Sequence, residues 1–229
     1  GSNVAVGNIS LKNTTTGYKN VAVGAESLYC NTTGKYNVAL GACSMRNNAT
    51  GVDNISMGHR SLQYSSGGYS NVGLGSWTLA NNTGDSNIAI GTNALYCNTA
   101  SGNVAIGAQS LHYNTTGFKN VAIGYRSLCK NTTGTYNVGL GVNALCANTT
   151  GSYNVAVGPQ TLRDNVCGKY NVSVGYRSLL YNTCGNQNVS LGSRTLMCNT
   201  TGNNNIGIGP ETLCQNSTGC NNISFGLNS

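Results

Sequence analysis

A chain of 229 residues with 7% charged side chains, two prolines and 32 glycines does not have the composition of an ordinary globular domain. Its +7 net charge comes from 12 basic residues against five acids, spread from Lys12 to Arg194 without the dense basic face that a nucleic-acid partner requires. No stretch approaches the ~18 consecutive apolar residues of a membrane span, so membrane insertion is not expected.

So little charge would read as low complexity if the apolar residues were scattered, but they recur at fixed offsets. With Asn as position 1, a repeat begins at Asn3, Asn20, Asn37, Asn54, Asn71, Asn87, Asn103, Asn120, Asn137, Asn154, Asn171, Asn188, Asn205 and Asn222. Eleven intervals are 17 residues and two are 16, with the consensus N-V-A-V-G-x-x-S-L-x-x-N-T-T-G-x-Y.

Within each copy the elements follow in order. Positions 2 and 4 are always apolar, as in Val21 and Val23 or Ile223 and Phe225, and position 3 between them is only Ala, Ser or Gly. This period of two predicts a short strand with positions 2 and 4 facing inward. Position 5 is Gly in every copy, which implies a corner with positive φ or a close approach to the next coil. Position 9, Leu or Met45, supplies a third inward side chain, and the N-T-T-G cluster from position 12 forms a second turn.

Two glycines per repeat leave no window for a stable helix. Strand starts with identical patterns favour parallel stacking over hairpins. The expected fold is therefore all-β, a parallel β-solenoid or β-roll of about 13 coils with 17-residue repeats, in a single array over residues 1–229. Three inward apolar residues per coil are too few to offset the ordering of 17 residues, so side-chain ladders of Asn at positions 1 and 12 must contribute. The small residues of position 3, including Ala22, Ala39, Ala89, Ala105, Ala122 and Ala156, are expected to form a flat outward stripe against which identical chains pack. With no cap evident at either end, the array is expected to be part of a longer chain or to stack axially.

The strand motif at Asn20 to Gly24, varied at Asn120 to Gly124, resembles the head repeats of trimeric autotransporter adhesins. The longer unit, with Ser127-Leu128 before Asn131 to Gly134, is similar to repeats in tail-fibre-like proteins of phages and large viruses. The resemblance covers essentially the whole chain, although the coil is longer than in the adhesins. It implies a parallel β-roll, assembly as a parallel homotrimer, and a binding role at an extracellular, cell or virion surface.

No catalytic constellation is expected, because Glu26, Asp53, Asp85, Asp164 and Glu211 lie in different coils and His59 and His112 stand three coils apart. No cofactor or metal is expected, as none of the ten Cys forms a C-x-x-C pair. Stacked positions about 4.8 Å apart suit disulfides, so Cys129 with Cys146 (position 10) and Cys167 with Cys184 (position 14) are candidate pairs, with Cys198 and Cys214 a looser one. The alternative is free thiols filling small sites. Tyr136, Tyr153 and Tyr170, at position 17 of successive coils, form a row that either stacks upon itself and stiffens the rod or contacts a glycan or receptor. Stacked Thr-Thr turns raise a further alternative, ice binding. The primary expectation is a structural or adhesive rod, not an enzyme.

Overall fold

The computed structural model describes residues Gly1–Ser229, which divide into two compact units, Gly1–Thr115 and Thr116–Ser229. Three-residue strands form at positions 2 to 4 of every repeat, and no helix occurs. In the first unit these are β1 (Val4–Val6), β2 (Val21–Val23), β3 (Val38–Leu40), β4 (Ile55–Met57), β5 (Val72–Leu74), β6 (Ile88–Ile90) and β7 (Val104–Ile106). The second unit holds β8 (Val121–Ile123), β9 (Val138–Leu140), β10 (Val155–Val157), β11 (Val172–Val174), β12 (Val189–Leu191), β13 (Ile206–Ile208) and β14 (Ile223–Phe225).

Within each unit every strand pairs in parallel with the next, position upon like position, as in Val21 with Val38 and Val155 with Val172. Each unit is a parallel β-solenoid. The register survives the two 16-residue coils, where Val72 still faces Ile88 and Ile88 faces Val104. There the missing residue comes out of the turn: the position-12 amides of Asn82 and Asn98 reach carbonyls two residues on, at Gly84 and Ala100, while Asn148 reaches three residues on, to Gly151.

The strands bury the face opposite to the one expected. Ala22, Ala39, Ala89, Ala105, Ala122 and Ala156 are fully buried, and the side chains of positions 2 and 4 point outward. A period of two distinguishes two faces without saying which is internal. Here the width of the coil decides. A Cβ built on the position-3 residue Gly73 would lie 2.7 Å from Ser61 Oγ and 3.0 Å from Leu62 Cδ1, and at Gly139 it would lie 2.6 Å from Ser127 Oγ. A branched aliphatic chain cannot fit there. Small residues at position 3 are thus a packing requirement, and the docking stripe proposed for them does not exist.

The interior is correspondingly lean. One large aliphatic column runs through each unit at position 9, including Leu28 and Leu62 in the first and Leu145 and Leu179 in the second. Buried Ser or Thr at position 8 flanks it, with hydroxyls donating to strand carbonyls, as from Ser127 to Gly139 at 2.9 Å. Two amide columns complete the filling. Asn154 Nδ2 donates to Asn137 Oδ1 in the preceding coil (3.1 Å) and to Gly168 O in its own (2.8 Å), and its Oδ1 accepts from Asn171 N and Nδ2. At position 12 Asn148 donates to Asn131 Oδ1 and Asn165 to Asn148 Oδ1. These bonds satisfy backbone and side-chain groups that burial would otherwise penalise, which is how so small an apolar core suffices.

Corners are made by left-handed backbone. At position 5 Gly141 has φ +137°, and a Cβ there would stand 2.5 Å from Gly158 O of the next coil. Positions 7, 9 and 17 are left-handed without glycine, as at Glu26 (φ 57°), Leu28 (φ 49°) and Tyr36 (φ 58°). This costs roughly 1 to 2 kcal/mol per residue. Each of these residues turns its N–H onto a neighbouring coil: Glu26 donates to Asn8 O, Leu28 to Ser44 O and Tyr36 to Tyr18 O. The intercoil ladder and the strained corners are therefore one device.

Candidate functional site

The outward residues of positions 2 and 4 form an aliphatic face on each unit, two side chains per strand with no charge among them. Ile55 and Met57 are 41% and 44% exposed in the first unit, and Val172 and Val174 are 38% and 39% exposed in the second.

Of the cysteine pairs, Cys167 and Cys184 are joined by a disulfide between successive coils, with Cα atoms 4.8 Å apart. Cys129 and Cys146 are brought together without a disulfide. A hydrogen bond with Cys129, and then burial, push the Cys146 thiol far up from its ordinary value, while Arg126, hydrogen-bonded to Cys129, is held more firmly protonated. Cys198 and Cys214 are also adjacent and unbonded, the Cys198 N–H donating to Cys214 O at 3.1 Å. Burial raises the Cys214 thiol.

The tyrosine row stacks upon itself. Tyr136 and Tyr153 lie 5.1 Å apart between ring centroids and Tyr153 and Tyr170 5.0 Å, each pair within 6° of coplanar, and Phe118 meets Tyr136 edge-on at 5.3 Å. The inner rings therefore spend their faces on one another. Beyond Tyr170 the row changes chemistry, to Gln187 and Asn204, and a cavity of about 480 Å³ opens among Lys169, Tyr170, Asn186, Gln187, Asn203 and Asn204. The threonines of position 13 are tied down, with Thr132 Oγ1 donating to Thr149 O and Thr149 Oγ1 to Val166 O.

A second aromatic strip, in the first unit, connects residues that had looked isolated. His59 meets Trp77 at 6.1 Å, Trp77 meets Tyr96 at 6.1 Å, Tyr96 stacks on His112 at 5.3 Å, and His112 meets Tyr113 at 4.4 Å. Arg60 lies over the Trp77 ring at 4.7 Å. These side chains occupy positions 6, 7, 10 and 11 of neighbouring coils, and reading those columns across the coils would have exposed the strip. Four of the five acids are engaged separately: Glu26 with Arg46, Asp164 with Arg163, Glu211 with Arg194, and Asp85 with the Tyr69 N–H.

No family model, no curated protein and no solved structure matches the chain.

Proposed function

We propose that this chain is a structural, non-enzymatic rod segment that assembles with copies of itself through the aliphatic face of positions 2 and 4, as a parallel homotrimer. The observation that carries the reading is that uncharged face, repeated on every strand and half-buried to exposed along its length. Burying it removes apolar surface from solvent at roughly 25 cal/mol per Å². A second copy in parallel suits it best, because identical coils rise by the same step and each Val or Ile row then meets an equivalent row. The resemblance of the repeat to adhesin heads and tail fibres supports three copies and a place at a cell or virion surface, in a fibre or adhesin.

Light scattering on the purified chain is expected to give three times the chain mass. The double variant Val172→Glu, Val174→Glu places carboxylates on the face without touching the interior, and should dissociate the assembly while leaving the β circular dichroism intact. A wild-type chain that stays monomeric at tens of micromolar would defeat the reading.

A further inference from the structure

We propose that the cavity at the end of the tyrosine stack binds a pyranose ring of a glycan chain, with preference for a sugar bearing a carboxylate. The inference is independent of self-assembly and concerns a different surface.

Three features of the cavity lead to it. Tyr170 ends the stack: its partner Tyr153 covers one face, and the cavity lies toward the two following coils, whose Gln187 and Asn204 replace tyrosine in the row. Tyr170 is 53% exposed, against 46% for Tyr153 within the stack. A ligand held here would lie against Tyr170 and the side chains of Gln187 and Asn204. The cavity is a shallow groove open to solvent, wide enough for one ring to lie against its lining.

The amides then separate two roles. Those of Asn186 and Asn203 are consumed by the chain: Asn186 Oδ1 accepts from Lys169 N at 2.8 Å, Asn203 Oδ1 accepts from Asn186 N at 2.8 Å, and the Nδ2 groups donate to Cys184 O and Thr201 O. They build a fixed floor. Gln187 and Asn204 are instead held only through their backbones, donating to Lys169 O and Asn186 O at 3.0 Å, and their exposed side-chain amides make no hydrogen bond within the chain. Each offers both donors and an acceptor beside the end of the tyrosine stack.

That combination selects among flat ligands. A purely aromatic ring would satisfy Tyr170 but leave both amides unused. A cation would meet Lys169, with no carboxylate in the lining to balance it. A pyranose presents an apolar C–H face to the tyrosine and hydroxyls, donor and acceptor alike, to the amides, and Lys169 favours a carboxylate on the ring or its neighbour.

The intact chain should be applied to an array of immobilised neutral and carboxylated glycans, followed by titration of a captured oligosaccharide. Capture among the carboxylated glycans is expected. Tyr170→Ala and Gln187→Ala should each weaken it about tenfold, Tyr170→Phe should preserve it, and Lys169→Gln should weaken it. Tyr36→Ala, at the same repeat position in the other unit, should have no effect. Unchanged circular dichroism would certify the folded state of each variant. Capture of no glycan, or capture that Tyr170→Ala leaves unchanged, would overturn the assignment.

Discussion

The two units run the same repeat with different fidelity, and the difference appears in the amide column of position 12. In Thr116–Ser229 that column is unbroken from Asn131 through Asn148, Asn165, Asn182 and Asn199 to Asn216. In Gly1–Thr115 it is replaced twice, by Thr14 and by Ser65, and in both places the buried hydroxyl has no hydrogen-bond partner. Gln63 Oε1 and Arg60 Nε, near the second break, are also unsatisfied, while the second unit has only Arg126 Nε. Yet the first unit absorbs two shortened coils with its amides still bonded, Asn98 Nδ2 reaching Asn82 Oδ1 at 2.7 Å. The column tolerates loss of a turn residue, because the backbone of the turn can close by one residue. It does not tolerate a short side chain, because a hydroxyl cannot span one coil to the next.

Breaking the better unit should therefore cost most. Asn154→Ala would leave the buried Asn171 N–H without its acceptor and remove one bond each from the Gly168 carbonyl, the Asn137 oxygen and Asn171 Nδ2, which keep a second partner. At about 1 to 3 kcal/mol for the buried N–H left unsatisfied and about 0.5 to 1.5 kcal/mol for each of the other bonds removed, a total loss of about 3 to 5 kcal/mol is expected. Urea unfolding followed by circular dichroism measures it. A loss below about 1 kcal/mol would mean that the ladder contributes little.

The second unit also carries the covalent link. Opening the 17-residue loop closed by Cys167 and Cys184 should lower its stability by about 3 kcal/mol, through the entropy regained by the unfolded chain. Reductant should produce this loss in the wild type and none in Cys167→Ser, Cys184→Ser. If reductant shifts both chains equally, some other cysteine pair is responsible.

Much of this could be read beforehand, and the part that could not has a definite cause. The spacing of Asn, Gly and Leu implies coils in register, because only stacking gives every copy the same environment, and the paired Asn positions point to amide columns. The pattern leaves the inner face of the strand open to either reading: large aliphatic residues are internal in most sheets, whereas here Leu128 and Ser127 already fill the space beside Gly139. The invariably small size of position 3 was the available signal. Left-handed Leu and Arg residues leave no mark in composition, since the neighbouring coil imposes that backbone. At the candidate glycan site, the tyrosine row was legible, but the cavity at its end follows only from the packing of Lys169, Asn186 and Asn203 around it.

The smallest effect comes from repairing the weaker unit, and it bears most directly on the comparison. Ser65→Asn would place an amide between Asn48 and Asn82, with Gly68 O at the distance in sequence that Gly51 O and Gly151 O have from their own asparagines. It would donate to Asn48 Oδ1 and Gly68 O, and it would replace a buried hydroxyl that bonds to nothing. The expected gain is about 1 kcal/mol, the net worth of an added internal hydrogen bond less the cost of ordering a longer side chain. Hydrogen exchange localises it: amides of residues 48 to 84 should slow, while those of the second unit stay unchanged. If Ser65→Asn instead destabilises the chain, the missing amide is an adaptation to the neighbouring Gln63 and the glycine pair Gly67-Gly68, and the two units differ by design of their packing instead of by fidelity to the repeat.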